Sequence, residues 1–310
     1  MKRLTAIGWP VLKGIILSLG LLLLLLPTNR VWGPAYWFLL GLPLLVAGFR
    51  RGEDDAFLAW AAYAVAFVVF IGVRSAADDL GFPLRFDYVI LADRLVGLGE
   101  VPSVRLQNWW YTPAGVTLFD WFMIATHLSY YLVPPLVGMI VWKVDPRRFL
   151  RYTAALAICY LLGAGIHILL PTAPPWYAAL EGRIPPVHRI VYDLIHGLSP
   201  SFYNYGYRVA GGNEVAAIPS MHYATAHLVA LASWQWPRAR LAGAGYAALM
   251  ILALAYLGEH YVVDAVAGGL VGAFAWAIAG SVRGRNERRV PEPQAAPRGA
   301  GESAPRPAWE

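Results

Sequence analysis

Apolar runs recur nearly end to end along this chain, at 11–27, 35–49, 56–73, 116–142, 149–170, 221–236, 241–257 and 260–282. Stretches of this length are read as membrane-spanning helices, because a helix satisfies its own backbone groups in lipid. The composition agrees: 58% of residues are hydrophobic and 14% charged, where a soluble domain carries about a quarter charged. The expected fold is therefore all-α, a polytopic membrane helix bundle of about eight spans. The basic start with Lys2, Arg3 and Lys13 is read as leading into a retained helix. No small-x-small cleavage site follows the leucines, and Pro27-Thr28-Asn29-Arg30 is a poor cleavage context. The single Cys159 excludes a disulfide framework and a cysteine zinc site.

The net charge of +6 sits in short loops and the tail, so no nucleic-acid partner is expected. Arg50 and Arg51, Lys143 with Arg147, Arg148 and Arg151, Arg238 with Arg240, and the arginines from Arg283 to Arg289 all fall on one side of an eight-span chain. The positive-inside bias then puts both termini in the cytoplasm and the long segments 74–115 and 171–219 outside. Within the first of these, 86–96 reads as an amphipathic helix in the interface plane, beside Trp109, Trp110 and Tyr111. The Pro-, Arg- and Ala-rich tail 283–310 reads as disordered.

Two stretches carry chemistry. In Gly258-Glu259-His260-Tyr261-Val262-Val263-Asp264 a histidine and a carboxylate stand four apart, one helical turn on the same face. The aspartate can hold one imidazole nitrogen and leave the other free. Upstream, Pro219-Ser220-Met221-His222 opens another apolar run, where Ser220 can cap a helix or donate to a ligand, and free N–H groups favour a phosphate. Each motif alone also fits a structural histidine at a helix start. Together, at the same membrane level, they make a two-histidine phosphoryl-transfer site: His260 attacks phosphorus, Asp264 orients it, and His222 gives and takes the proton. Metal and cofactor are not required, provided cations and N–H groups hold the phosphoryl oxygens. Asp120 and His127 lie seven apart on one face of the fourth span, placed to bind an acceptor's hydroxyls, relay protons or form a structural pair. His227 is turned away from the face of His222 and reads as packing, and Glu259 reads as headgroup-facing or exposed. Trp176, Tyr177, Tyr203, Tyr205 and Tyr207 read as interfacial anchors, or more sharply as a stacking surface for a headgroup.

Pro-Ser-x-His followed about a span later by His-x-x-x-Asp resembles the second and third signatures of the type 2 phosphatidic acid phosphatase superfamily. Asn213, then Ala217-Ile218-Pro219-Ser220-Met221-His222, and His260-Tyr261-x-x-Asp264-x-x-Ala267-Gly268 resemble the branch containing fungal inositol phosphorylceramide synthase, as does Pro171-Thr172-Ala173-Pro174-Pro175. The resemblance covers about 149–280, and more loosely the chain from 56. It implies a six-helix core, an outward-facing site, and His222, His260 and Asp264 as catalytic residues. Three signature cations are absent. His167 and Pro174 occupy the lysine and arginine places of the first signature, and Leu254 stands where the third has its arginine. Substitutes are expected from Arg183, Arg189, Arg208, Arg74, Arg94 and Arg105, with Arg208 the first choice and His167 the second.

The reading is an integral membrane phosphoryl-transfer enzyme of the cell membrane, its site at the outer face, acting on a lipid with a phosphate headgroup. It comprises a transmembrane extension at 1–55, a membrane catalytic domain at 56–282 and the tail. An alcohol acceptor makes it a headgroup transferase, resembling an inositolphosphotransferase; water makes it a lipid phosphate phosphatase. A transporter or scramblase that keeps the fold is the alternative of a different class. Vanadate haloperoxidase chemistry is disfavoured by the spans and sparse cations.

Overall fold

The computed structural model describes residues 54–75, 80–113, 115–209 and 212–287, with positions 41, 43, 44, 46 and 47. The first expected span, most of the second and nearly all of the tail lie outside the described residues.

Helix α1 (Asp54–Ser75) opens with Asp54 and Asp55 and ends with Arg74, charges that match its dipole. Two short helices follow, α2 (Asp87–Val96) and α3 (Pro102–Trp110), the first of them the expected amphipathic segment. Val89, Ile90 and Asp93 of α2 are buried, whereas Leu91 and Leu95 are exposed.

The fourth expected span is two helices, α4 (Leu118–Leu128) and α5 (Val133–Val144), joined through the 3₁₀ turn Ser129–Tyr131 and bent by 54°. Pro134 and Pro135 in the first turn of α5 explain the break, since each lacks the N–H that would continue the ladder. Helix α6 (Pro146–Leu169) is the central post, packed against α1, α5, α9 and α11. The segment 171–219 holds α7 (Pro175–Leu180), a π-helical turn at Tyr192–His196, and α8 (Pro200–Val209). Helices α9 (Met221–Ser233), α10 (Pro237–Tyr256) and α11 (Val262–Glu287) complete the bundle.

Four described helices, α1, α6, α10 and the first 20 residues of α11, are long and apolar enough to cross a membrane, and α4 with α5 makes a fifth when counted as one broken span. The chain is thus an integral membrane helix bundle. Helix α9 has 13 residues, about 20 Å of rise against a hydrocarbon core of about 30 Å. It is an interior helix rather than a lipid-facing span. Ala224, Ala226, Ala230 and Ala232 let α6, α10 and α11 close around it.

The core between α1 and α6 is aromatic: Trp60 lies 5.1 Å from Phe149, and Phe67 meets Tyr160 edge-on at 5.0 Å between ring centroids. At the end of the bundle that carries the motifs, three loops are knit by main-chain bonds. Arg85 N–H donates to Pro171 O, Thr172 N–H to Val215 O, and Ala217 N–H to Thr172 O. This stitching fixes the approach of the chain to Pro219 and the start of α9.

Candidate active site

The nucleophile candidate is positioned by how α10 ends. Gly258 adopts φ +76°, the left-handed conformation that closes a helix without a Cβ penalty. A Cβ there would also meet His188 O at 2.6 Å. The N–H groups of Glu259 and His260 then turn back onto Leu254 O at 3.2 and 3.3 Å. That turn delivers His260 to the start of α11 with Asp264 one turn further on. His260 Nδ1 is 3.4 Å from Asp264 Oδ2, and the same oxygen accepts from Tyr261 N–H at 2.9 Å. Asp264 is fully buried and His260 nearly so. With Nδ1 facing the carboxylate, Nε2 is the nitrogen left for chemistry.

His222 comes from the first turn of α9. Ser220 caps that helix, its Oγ accepting from Tyr223 N–H, and its own N–H donates to Asp264 O at 2.9 Å. The two motifs are therefore tied through the backbone, and the His222 and His260 rings lie 5.5 Å apart between centroids. His222 is held between His127 and Tyr130, each 4.4 Å from it. His167 Nε2 donates to Pro219 O at 3.1 Å, which supports the turn into α9 from below.

These groups face a cavity of about 460 Å³. Its wall includes His127, His222 and His260, two arginines, Arg74 and Arg189, two glutamates, Glu214 and Glu259, and the aromatic rings of Trp176, Tyr203 and Tyr207. Arg74 projects from the last turn of α1 and donates to Asn213 O at 3.4 Å, while Asn213 Nδ2 donates to Arg74 O at 2.9 Å. Arg189 is placed by Gln107 of α3. The Gln107 side chain donates to His188 O and Tyr256 O and accepts from His188 N–H, at 2.9, 2.8 and 2.7 Å. Among the described residues no three His, Cys, Asp or Glu side chains converge as metal ligands.

The expected site residues are distributed unevenly. His222, His260, Asp264 and His127 come together. Asp120 does not join them: it completes a capping box with Thr117 at the start of α4, and its other oxygen accepts from Tyr256 OH. Ser220 is buried as a cap and does not line the cavity. His167 lies behind it, in a small adjoining pocket that His222 and His260 also border. Arg183 is exposed and paired with Asp87 at 3.5 Å, away from the cavity. The side chain of Arg208 lies outside the described residues. Leu254, at the vacant arginine place, is 1% exposed and part of the apolar core, so no cation fits there. Glu259, expected to face a headgroup or be exposed, is half-buried in the cavity wall against Arg189, and Trp176 and Tyr207, expected as interfacial anchors or a stacking surface, flank that arginine.

A helical membrane bundle with a histidine pair backed by a carboxylate defines a class of lipid-phosphate enzymes, and comparison with known proteins agrees. The family model described as the PAP2 superfamily matches residues 89–278, more than half of the chain. The chain belongs to the PAP2 superfamily. It is also similar to an inositol phosphorylceramide synthase of Candida albicans, 27% identical over 152 residues. That alignment takes in 46% of this chain and 32% of the fungal protein, so the chain spans about a third of that relative's length. No solved structure matches the chain.

Proposed function

We propose that this chain is a headgroup transferase, moving a phosphorylated headgroup from a lipid phosphodiester to an alcohol acceptor through a phosphohistidine on His260. The observation that carries the reading is the placing of His222 and His260 5.5 Å apart on one cavity wall, with Asp264 behind His260. In the first half-reaction His260 Nε2 attacks phosphorus. The bond to the departing lipid oxygen breaks as His222 delivers a proton to that oxygen. Asp264 keeps Nδ1 protonated and offsets the positive charge that the ring acquires. In the second half-reaction the acceptor hydroxyl yields its proton to His222 and attacks phosphorus, and the electron pair of the P–N bond returns to His260. Arg74 and Arg189 take the part of the absent signature cations in holding phosphoryl oxygens.

The similarity to a fungal inositol phosphorylceramide synthase favours an inositol-phosphate-like headgroup and an alcohol acceptor over water. Water as acceptor would turn the same intermediate into a phosphatase reaction. The loop charges support a site at the outer face of the plasma membrane with both termini in the cytoplasm, and 56–282 as the catalytic unit. The test is incubation of purified protein in micelles with labelled phosphatidylinositol, phosphatidic acid and candidate alcohols. A new phosphodiester lipid, lost in His260→Ala, is the expected product. Free phosphate alone would mark a phosphatase, and lipid crossing a bilayer with no bond broken would mark a transporter.

A further inference from the structure

Arg189 reaches the cavity already engaged. Its guanidinium carbon lies 4.4 Å from the Trp176 ring centroid and 5.0 Å from that of Tyr207. Its Nε donates to Glu259 Oε1 at 3.1 Å, and its Nη1 is 3.8 Å from Glu214 Oε1. The Arg189 and Glu259 side chains keep 13% and 14% of their exposure, so bulk water and salt screen the pair weakly. Burial acts to raise the Glu259 carboxyl, but the charge and hydrogen bond of Arg189, with His127 and His260 adding to them, hold the group below the usual range. Glu259 therefore sits ionised in the cavity wall, one residue before His260.

The charges then balance in a telling way. Among the described residues the cavity lining offers Arg74 and Arg189 against Glu214 and Glu259, and these leave no formal charge in excess when the histidines are neutral. A phosphodiester brings one negative charge. A phosphomonoester brings nearly two at neutral pH, because its second ionisation falls near pH 6. A wall with fixed carboxylates discriminates by repulsion as well as by attraction.

We propose that Glu259, by holding Arg189 and keeping a fixed negative charge beside His260, makes this cavity select a singly charged lipid phosphodiester over a doubly charged lipid phosphomonoester. This rests on the phosphoryl-transfer reading above and adds what sets the charge of its donor. Glu259 is a specificity residue here, acting through Arg189 and through its own charge. A merely structural Glu259 would affect both kinds of donor equally.

The experiment compares phosphatidylmethanol with phosphatidic acid of the same acyl chains, in micelles, reading diacylglycerol release as kcat/KM. These probes share a leaving group and differ by one methyl and one charge. The wild-type protein prefers the diester by at least about tenfold near pH 7.5, and the preference narrows toward pH 5.5 as the monoester loses its second charge. Arg189, Glu214, Arg74, His127, His222, His260, Tyr203 and Tyr207 surround Glu259 and the cavity. The wild-type and Glu259→Gln ratios are therefore compared at one pH, where these groups are common to both proteins. Glu259→Gln keeps an acceptor for Arg189 and lowers the preference near pH 7.5 by about tenfold, chiefly by raising turnover of phosphatidic acid. An unchanged ratio in that variant overturns the proposal. So does a wild-type ratio that stays flat over the pH range, a measurement that needs no variant to fold. Equal turnover of the two probes defeats the proposal alone. No diacylglycerol from either defeats the phosphoryl-transfer reading and the proposal with it.

Discussion

Gly268 on α11 sets how closely α9, which carries His222, approaches α11, which carries Asp264. A Cβ at that position would lie 2.2 Å from Ser220 O and 3.1 Å from Ser220 C, whereas real Cβ atoms keep at least 3.0 Å. The obstacle is backbone, so no rotamer change relieves it. Ser220 cannot yield alone, because its N–H is bonded to Asp264 O and its carbonyl accepts from Ala224 N–H. Gly268→Ala therefore forces the starts of α9 and α11 apart by about 0.8 Å, the difference between the two separations. His222 is carried by one of these helices and Asp264 by the other. A misplacement of about 1 Å between reacting groups costs about 10²-fold in rate, close to 2.7 kcal/mol of transition-state stabilisation, and the overpacking costs about 1–3 kcal/mol of stability. The assay is kcat for headgroup release in micelles, with a thermal midpoint measured on the same preparation. Gly245→Ala is the control: that glycine lies exposed on α10, where a Cβ meets nothing within 4 Å. It gains about 0.5–1 kcal/mol and leaves kcat unchanged. A folded Gly268→Ala protein with kcat within about twofold of wild type would refute the claim that this helix contact sets the site.

Asp93 on α2 accepts from Val263 N–H at 3.1 Å and caps the start of α11. Burial, with the charge of Asp264 adding to it, pushes its carboxyl up to about 7. The folded state thus binds the proton more tightly than the unfolded chain, so its contribution is fully present below about pH 4 and lost as pH rises to about 7, by at most about 4 kcal/mol. Asp93→Asn keeps the acceptor and flattens that slope, as thermal midpoints between about pH 5 and pH 8 will show; an unchanged slope would contradict it. Asp120→Ala removes a capping box and strands Tyr256 OH, so it lowers stability by about 2–3 kcal/mol without changing the KM for any acceptor alcohol. A raised acceptor KM at unchanged stability would instead put Asp120 in the binding site.

The helices were legible because lipid demands long apolar runs, and the four-residue spacing of His260 and Asp264 pointed to their pairing, although His260 stands just before α11 rather than within it. That the two histidine motifs share one site was expected from their common membrane level, but the backbone tie between Ser220 and Asp264 across two helices had no signal in the sequence. Some of what was passed over had a local signal. Thr117 followed by Asp120 at the head of an apolar run is a capping pattern, and it accounts for an aspartate first read with His127 as a possible ligand. Pro134-Pro135 marked the break in the fourth span. Arg189 and Glu259 had none: they stand 70 residues apart in sequence, and what joins them is Gln107 fastening the backbone at His188 to the end of α10. Leu254 misled in the useful direction. Its apolar identity meant that the phosphate's cations had to come from elsewhere, and Arg74 and Arg189 are the arginines among the described residues that line the cavity.

The central claim is that His260 becomes phosphorylated during turnover. It is tested most directly by quenching wild-type protein with a headgroup-labelled lipid phosphodiester and mapping the adduct by mass spectrometry. The account predicts an acid-labile, base-stable phosphoryl adduct on His260, absent in His260→Ala and discharged when an acceptor alcohol is added. Turnover with no adduct on His260, or an adduct that maps to another residue, would contradict it.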